Sequence, residues 1–123
     1  MTVEHAVANS DIKVNVFPDF YDSNKVYLDA NSQPLPKLTE WIAYNLVVET
    51  PSYADDWDAY TEREIDVHYF TRSLTDVRSM TVKLRNALRT EGYIIQQTQR
   101  SYESDSKYYH LIISIIEQIE TEV

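Results

Sequence analysis

The clearest hydrophobic pattern in the chain lies between Ser73 and Gly92. Ser73 can cap the amide of Asp76, whose negative charge suits the first turn of a helix. Gly92 is the only glycine in the protein, and it falls where a helix favours positive φ just past its end. The positions spaced by three and four form one stripe: Val77, Met80, Thr81, Leu84, Ala87 and Leu88. This pattern predicts a helix over residues 73–91.

Alternating hydrophobic and polar residues predict strands on both sides of this helix. Residues 11–17 and 25–30 predict two short strands, with prolines after each. Residues 38–49 are apolar on both faces, which indicates a central strand or one whose outer face meets another subunit. Residues 63–71 alternate cleanly, and residues 93–102 predict a further strand. Residues 108–119 also fit a helical stripe, but their β-branched residues favour a strand.

The order of these elements predicts an α+β fold: a mostly antiparallel β-sheet with one main α-helix (about 73–91) packed on one face. The helix stripe should cover the sheet face that carries Ile65, Val67, Tyr69, Leu111 and Ile113. At 123 residues, we expect a single domain over 1–123. Residues 1–10 show no sustained period and predict a flexible arm. Residues 50–62, with the sequence TPSYADDWDAYTE, predict a long acidic loop.

Composition and charge exclude several classes of function. The chain has no cysteine, so disulfides and thiolate chemistry are excluded. No apolar run approaches the roughly 20 residues that cross a bilayer, and no secretion signal is evident, so we expect no membrane partner. The net charge is −9, which disfavours direct nucleic-acid binding. Ten tyrosines and two tryptophans suit contact surfaces.

Two clusters offer candidate metal ligands. Asp55, Asp56 and Asp58 could hold calcium, but the spaced acidic pattern with its turn glycine is missing, which favours a solvated or partner-facing loop. His68 and His110 lie on predicted strands where they can face each other, with Glu64 or Asp66 nearby. No zinc-type spacing occurs, so polar residues on a sheet face are the better interpretation.

Nothing in the sequence indicates an enzyme or a cofactor. A single glycine excludes the nucleophile elbow of serine hydrolases and the glycine-rich loops that bind phosphate. Acidic residues are abundant, so a carboxylate pair for acid–base chemistry stays open, but no pair stands out.

The charge layout offers a hint of assembly. The predicted helix is a basic island in an acidic chain, and its basic residues lie away from the apolar stripe. A solvated face is the simpler interpretation of any one of them. Alternatively, the basic face meets the acidic loop of a neighbouring copy, and such head-to-tail contacts close into rings when the rotation permits. The candidate interface residues are Asp55, Asp56, Trp57, Asp58, Tyr60, Arg78, Lys83, Arg85 and Arg89.

Over roughly residues 38–118, the chain resembles the tail-terminator and head–tail joining (neck) proteins of long-tailed bacteriophages. The resemblance is carried by four segments in order, WIAYNLVVETPSYADDWDAY, REIDVHYFTR, LRNALRTEGYII and YESDSKYYHLIISI. Members of this family usually begin with a short helix, whereas residues 1–37 here are strand-like and proline-rich.

The resemblance implies a virion structural protein, located in the tail or neck and assembled in the cytoplasm of the bacterial host. Such proteins form a ring, commonly a hexamer, that caps the tail tube and joins tail to head. The implied partners are other copies of the chain, the tail tube protein and the head connector or neck proteins. Two alternatives stay open: another neck position, as a head-completion or adaptor protein, and an acidic DNA-mimic inhibitor. The basic helix argues against the mimic.

Overall fold

The computed structural model describes residues 1–54 and 58–121. Within these ranges the chain forms two helices and five strands. Their bounds, in chain order, are α1 (Val3–Ala8), β1 (Val16–Pro18), β2 (Trp41–Ala54), β3 (Asp58–Thr71), α2 (Leu74–Glu91), β4 (Ile94–Glu103) and β5 (Tyr108–Thr121). Neither helix in the described ranges is long and apolar enough to cross a bilayer.

The five strands form one sheet in the order β1-β2-β3-β5-β4. The short β1 pairs in parallel with β2, and all other pairs are antiparallel. We call the sheet end with the Ala54–Asp58 pair the tip, and the end with the Thr71–Tyr109 pair the base. The predicted α+β fold, with a mostly antiparallel sheet, is confirmed.

Helix α2 forms where the sequence predicted it. The Ser73 hydroxyl accepts a hydrogen bond from the Asp76 amide at 3.3 Å, and Gly92 ends the helix with φ of +113°. Thr81 is half-buried and donates its hydroxyl hydrogen to the Val77 carbonyl at 2.7 Å. The rest of the predicted stripe is buried: Val77, Met80, Leu84, Ala87 and Leu88.

The hydrophobic core lies between α2 and one face of the sheet, which we call the inner face. The five sheet residues that the stripe was predicted to cover are each at most 8% exposed: Ile65, Val67, Tyr69, Leu111 and Ile113. Ile42 on β2 and Ile115 on β5 extend this layer and are fully buried. Apolar burial on this scale, about 25 cal/mol per Å², is the main force that holds the helix on the sheet.

The prediction of a flexible arm over residues 1–10 is wrong. Val3–Ala8 forms α1, capped by the Thr2 hydroxyl, which accepts from the His5 amide at 3.0 Å. Val3, Ala6 and Val7 are at most 4% exposed and join the same core. Their spacing is helical, but two turns are too short to stand out as a period in the sequence. Packing against α2 supplies the stability that so short a helix lacks alone.

The prediction of a long acidic loop over residues 50–62 is also wrong. Strands β2 and β3 stay paired up to Ala54 and Asp58, so only residues 55–57 lie between them. β5 extends the pairing on the other side of β3, up to the Ala59–Thr121 pair. Acidic composition suggested a loop, but acidic residues are also compatible with a strand. The backbone gains a full ladder of hydrogen bonds by continuing.

Residues 11–37 contain less strand than predicted. The strand predicted over residues 11–17 is reduced to Val16–Pro18, and the one predicted over residues 25–30 is replaced by turns with one isolated bridge between Leu28 and Pro34. Ile12 is 6% exposed and packs in the core, so part of the alternation reflects burial without sheet pairing.

Candidate functional site

The outer face of the sheet, opposite the helices, is covered at one corner by the protein's own chain. The Tyr21 ring lies 4.7 Å from the Trp41 ring between centroids, and Trp41 stacks on Phe70 at 5.1 Å. Phe17 and Tyr27 complete this outer aromatic cluster, each ring within 4.8 to 5.1 Å of Tyr21 or of the other. Residues 19–38 therefore fold over the corner that carries Trp41.

A chain of hydrogen bonds runs beside this cluster on the outer face. His68 Nδ1 lies 2.8 Å from His110 Nε2, so the expectation that the two histidines face each other is confirmed. His68 Nε2 contacts Asn45 Oδ1 at 2.8 Å, and His110 Nδ1 contacts Glu103 Oε1 at 3.1 Å. With Asn45 accepting, His68 Nε2 carries the proton, and His68 Nδ1 then accepts from His110 Nε2.

Both histidines have a lowered pKa. Burial lowers the pKa of His68, and the charge of His110 lowers it further. Burial also lowers the pKa of His110, while Glu103 opposes that effect. Double protonation of the pair is therefore disfavoured, because two positive rings 2.8 Å apart would repel each other in a partly dry site.

This arrangement does not resemble a metal cage. The facing nitrogens of His68 and His110 are bound to each other, and Glu103 contacts the opposite nitrogen of His110. The ligands therefore do not converge on one point, as a tetrahedral metal site requires. Among the described residues, no group of three or more His, Cys, Asp or Glu side chains is placed to hold a metal ion.

Asp58 is the described residue of the acidic candidates, and it lies at the tip of the sheet. Asp55, Asp56 and Trp57 fall outside the described residues. Asp58 and Tyr60 lie on β3, opposite Ala54 and Ser52 of β2.

The basic candidates on α2 do not form one patch. Arg78, Arg85 and Arg89 are spaced by seven and four residues, so they follow one line along the helix, while Lys83 points roughly 140° away. Arg78, Lys83 and Arg89 are exposed. Arg85 is half-buried, and its buried Nε has no hydrogen-bond partner within the described part of the chain. Lys83 lines a cavity between α1 and α2, together with His5 and Asn9.

Arg78 faces a groove at the base of the sheet that the sequence analysis missed. The groove encloses about 330 Å³ between the start of α2 and the end of β4. Arg100 lies across it from Arg78, and the rings of Tyr102 and Tyr109 line it, 4.8 Å apart between centroids. The sequence holds one signal for this: Arg100 and Tyr102 are two residues apart and therefore share a strand face.

Comparison with known proteins identifies the fold. No known family profile matches the chain, and no curated protein matches it by sequence. Among solved structures, it is similar to a chain in the virion of a native gene transfer agent particle, with a TM-score of 0.67 over 97% of this chain and 92% of that chain. The two sequences are 9% identical, so the likeness shows a shared fold.

Proposed function

We propose that this protein is a structural, non-enzymatic component of a phage-like virion. The observation that carries the proposal is the fold likeness to a chain of a gene transfer agent virion, which spans nearly the whole of both chains. The candidate sites of the structure are surfaces suited to contact with other proteins, which agrees with the proposal. The outer aromatic cluster, the exposed arginines of α2 and the acidic tip are groups that bind other proteins.

Within the virion, we propose the role of tail terminator: a ring, of six copies by family resemblance, that caps the tail tube and joins it to the head. Two features support this finer role. The sequence resemblance to tail-terminator and neck proteins runs through β2, β3, α2 and β5, which make up most of the sheet and its main helix. Asp58 at the tip and Arg78, one turn into α2 from the base, also lie towards opposite ends of the sheet, which suits head-to-tail contacts between copies.

The proposed partners follow from this role. Copies of the chain contact each other through the candidate interface residues at the tip and on α2, the ring docks on the tail tube protein, and its other side meets head connector or neck proteins. The protein would reside in the tail or neck, after assembly in the host cytoplasm.

Tube capping tests the function directly. Purified chain is added to polymerising tail tube protein, and tube ends are imaged by negative-stain electron microscopy. We expect a ring on one end of each tube and arrested growth at that end, with heat-unfolded chain as the control. Tubes that grow unchanged, together with capture of portal-side protein in a parallel pull-down, would assign the chain to another neck position. A monomer that captures neither would contradict the proposal.

A further inference from the structure

The groove between α2 and β4, which we call the base groove, combines apolar walls with two cations. Arg78 and Arg100 are both exposed on opposite sides of it, and neither forms an ion pair with any described residue. Leu74 is 42% exposed and Tyr102 is 52% exposed, so water covers a substantial apolar area. Unlike the cavities near α1 and the histidines, the base groove has no carboxylate among its lining residues.

The chemistry of the base groove specifies its occupant. An aromatic side chain would bury the exposed apolar walls, and a guanidinium can lie over an aromatic face. Carboxylates beside that aromatic residue would pair with the arginines, whose planar forks bind carboxylates with two hydrogen bonds. A short segment with one aromatic anchor and flanking acidic residues therefore fits the groove best.

The chain contains one such segment, at the tip of the sheet. Trp57 is flanked by Asp55, Asp56 and Asp58 in the sequence ADDWDAY. The only other tryptophan, Trp41, is already packed between Tyr21 and Phe70 in the outer aromatic cluster. Tryptophan is also among the residues that most often dominate the energy of protein interfaces.

The segment cannot fill the base groove of its own copy. Strand β3 runs from Asp58 at the tip to Thr71 at the base, and its 14 residues span roughly 45 Å. The groove lies at the base, because Leu74 follows β3 directly and Tyr109 pairs with Thr71. Only another molecule can bring the tip segment to this groove.

We propose that Trp57 and its flanking aspartates dock in the base groove of a second copy, where they pair with Arg78 and Arg100. The contact joins different surfaces of identical chains, so each copy keeps one tip and one groove available, and repetition gives a ring or an open filament. This inference rests on the proposed function, since it supplies the contact between copies of the terminator ring. It also narrows the interface: Lys83 and Arg89 lie outside the groove.

Photocrosslinking locates the contact. The full chain is made with benzoylphenylalanine at position 57, mixed with isotope-labelled chain, irradiated at high protein concentration and mapped by mass spectrometry. We expect products between copies that join position 57 to Leu74–Arg78 or to residues 100–109. Products at other sites, or no product between copies, would overturn the docking proposal. Tube capping is scored separately, so a ring with crosslinks elsewhere would overturn the docking proposal and leave the terminator role standing.

Matched variants test the chemistry. Trp57→Ala and the pair Arg78→Glu/Arg100→Glu should each weaken association about 30-fold in analytical ultracentrifugation. The pair Lys13→Glu/Lys107→Glu changes the net charge by the same amount on exposed side chains outside the groove and should change association by less than about 3-fold. If the control pair weakens association as much as Arg78→Glu/Arg100→Glu does, the loss is a general effect of charge, which would contradict docking in the groove.

Mixing the two variants that are defective in association distinguishes a lost contact from a variant that does not fold. Trp57→Ala keeps an intact groove, and Arg78→Glu/Arg100→Glu keeps an intact tip. At a protein concentration where neither variant associates alone, an equimolar mixture should therefore form dimers through one good contact. A second cavity with two cations and no carboxylate, lined by Lys25 and Lys37, provides the rival receptor. A mixture that stays monomeric would contradict the proposal. Loss of association in the variant Lys25→Glu/Lys37→Glu would also contradict it.

Discussion

Two tyrosine hydroxyls fix polar groups at the edge of the core. Tyr69 is fully buried and donates its hydroxyl hydrogen to Glu40 at 2.5 Å, and Tyr44 donates to Glu4 at the same distance. Burial and the neighbouring carboxylates raise the pKa of both hydroxyls well above the usual range, which keeps them protonated as donors. The bond to Glu40 joins the segment that precedes β2 to β3, and the bond to Glu4 joins α1 to β2.

We expect Tyr69→Phe to lower the free energy of unfolding by about 1–2 kcal/mol, because Glu40 loses its donor in a half-buried place. Urea unfolding at pH 7 measures the effect. Tyr102→Phe is the control, since its side chain is exposed and a change of about 0.5 kcal/mol or less is expected. Equal effects of the two substitutions would contradict a role for the Glu40 bond.

The paired histidines predict a pH dependence. Their pKa values are lowered in the folded state, so the unfolded chain binds more protons as the pH falls below about 6.5. The free energy of unfolding should therefore be at its full value near neutral pH and decrease as the pH falls through the unfolded-state pKa. Urea midpoints at pH 7.5 and 5.5 measure this decrease.

A double variant isolates the contribution of the histidines from that of Glu103, Asp66 and Asp19 nearby. His68→Gln/His110→Gln should show a smaller decrease between the two pH values than the natural chain. If both proteins lose the same stability on acidification, the histidine pair is not the cause.

At the scale of elements, the sequence predicted what local signals determine. Helix α2 has a cap, a stripe and a terminal glycine that agree, so its bounds could be predicted to within a residue. Helix α1 has the same kind of stripe but only six residues, and its stability comes from contact with α2, which no local pattern shows. The extension of β2 and β3 to the tip depends on strand pairing, so composition misled the prediction there.

In the candidate site too, local patterns predict some features, and contacts between distant elements determine the others. The facing of His68 and His110 could be predicted from alternation on two neighbouring strands, where His68 pairs with Ile112 and His110 with Phe70, so that the histidines are diagonal neighbours on one face. The base groove could not, because it joins Arg78 from a helix to Arg100 from a strand 22 residues later, and the strand bulge at Ile95–Gln97 shifts the register between them. Residues that come from a helix and a strand and lie far apart in the sequence can meet in space without leaving a periodic pattern in the sequence.

We expect Gly92→Ala to destabilise the protein by about 1–3 kcal/mol, because φ of +113° strains any residue with a Cβ atom. The added carbon would also lie 3.1 Å from Met1 Sδ. Thermal unfolding measures the loss. Thr90→Ala, on an exposed position of the last turn, should be neutral or slightly stabilising, and a comparable loss there would contradict the backbone explanation.

Helix α1 should contribute measurably to the core. Val3→Ala and Val7→Ala each remove buried methyl groups, and each should lower the free energy of unfolding by about 1–3 kcal/mol. Chemical denaturation measures both. Ala8→Ser, on the exposed side of α1, serves as the matched substitution and should change stability by about 0.5 kcal/mol or less. Unchanged stability in both valine variants would restore the flexible-arm interpretation.

At the scale of the whole molecule, the sheet is longer than the layer that covers it. α2 packs over its middle and base, while β2, β3 and β5 continue towards the tip. In the middle of β2, Leu46, Val47 and Val48 are 42% to 53% exposed. The base groove and the Ala54–Asp58 pair at the tip are thereby held at opposite ends of one sheet. This separation makes contact between copies possible without competition from contact within a copy.

Association between copies should depend on salt. Raising the ionic strength from about 0.1 M to about 1 M shortens the Debye length from about 10 Å to about 3 Å, which weakens attraction between exposed opposite charges. We expect the dissociation constant between copies to rise roughly tenfold, measured by light scattering over a concentration series. Association that strengthens with salt would indicate a contact held by apolar burial alone.

The position of β3 at the centre of the sheet also affects how the chain reaches this structure during translation. β2 can pair with β3 as soon as both have left the ribosome, but β5 supplies the other flank only after 48 further residues, as the Asp66–Ser114 pair shows. Until then the nascent hairpin exposes a long unsatisfied edge that can recruit strands from other nascent chains. Slow synthesis between the two segments should therefore reduce the yield of correctly folded protein, even though the finished sheet leaves β3 no edge.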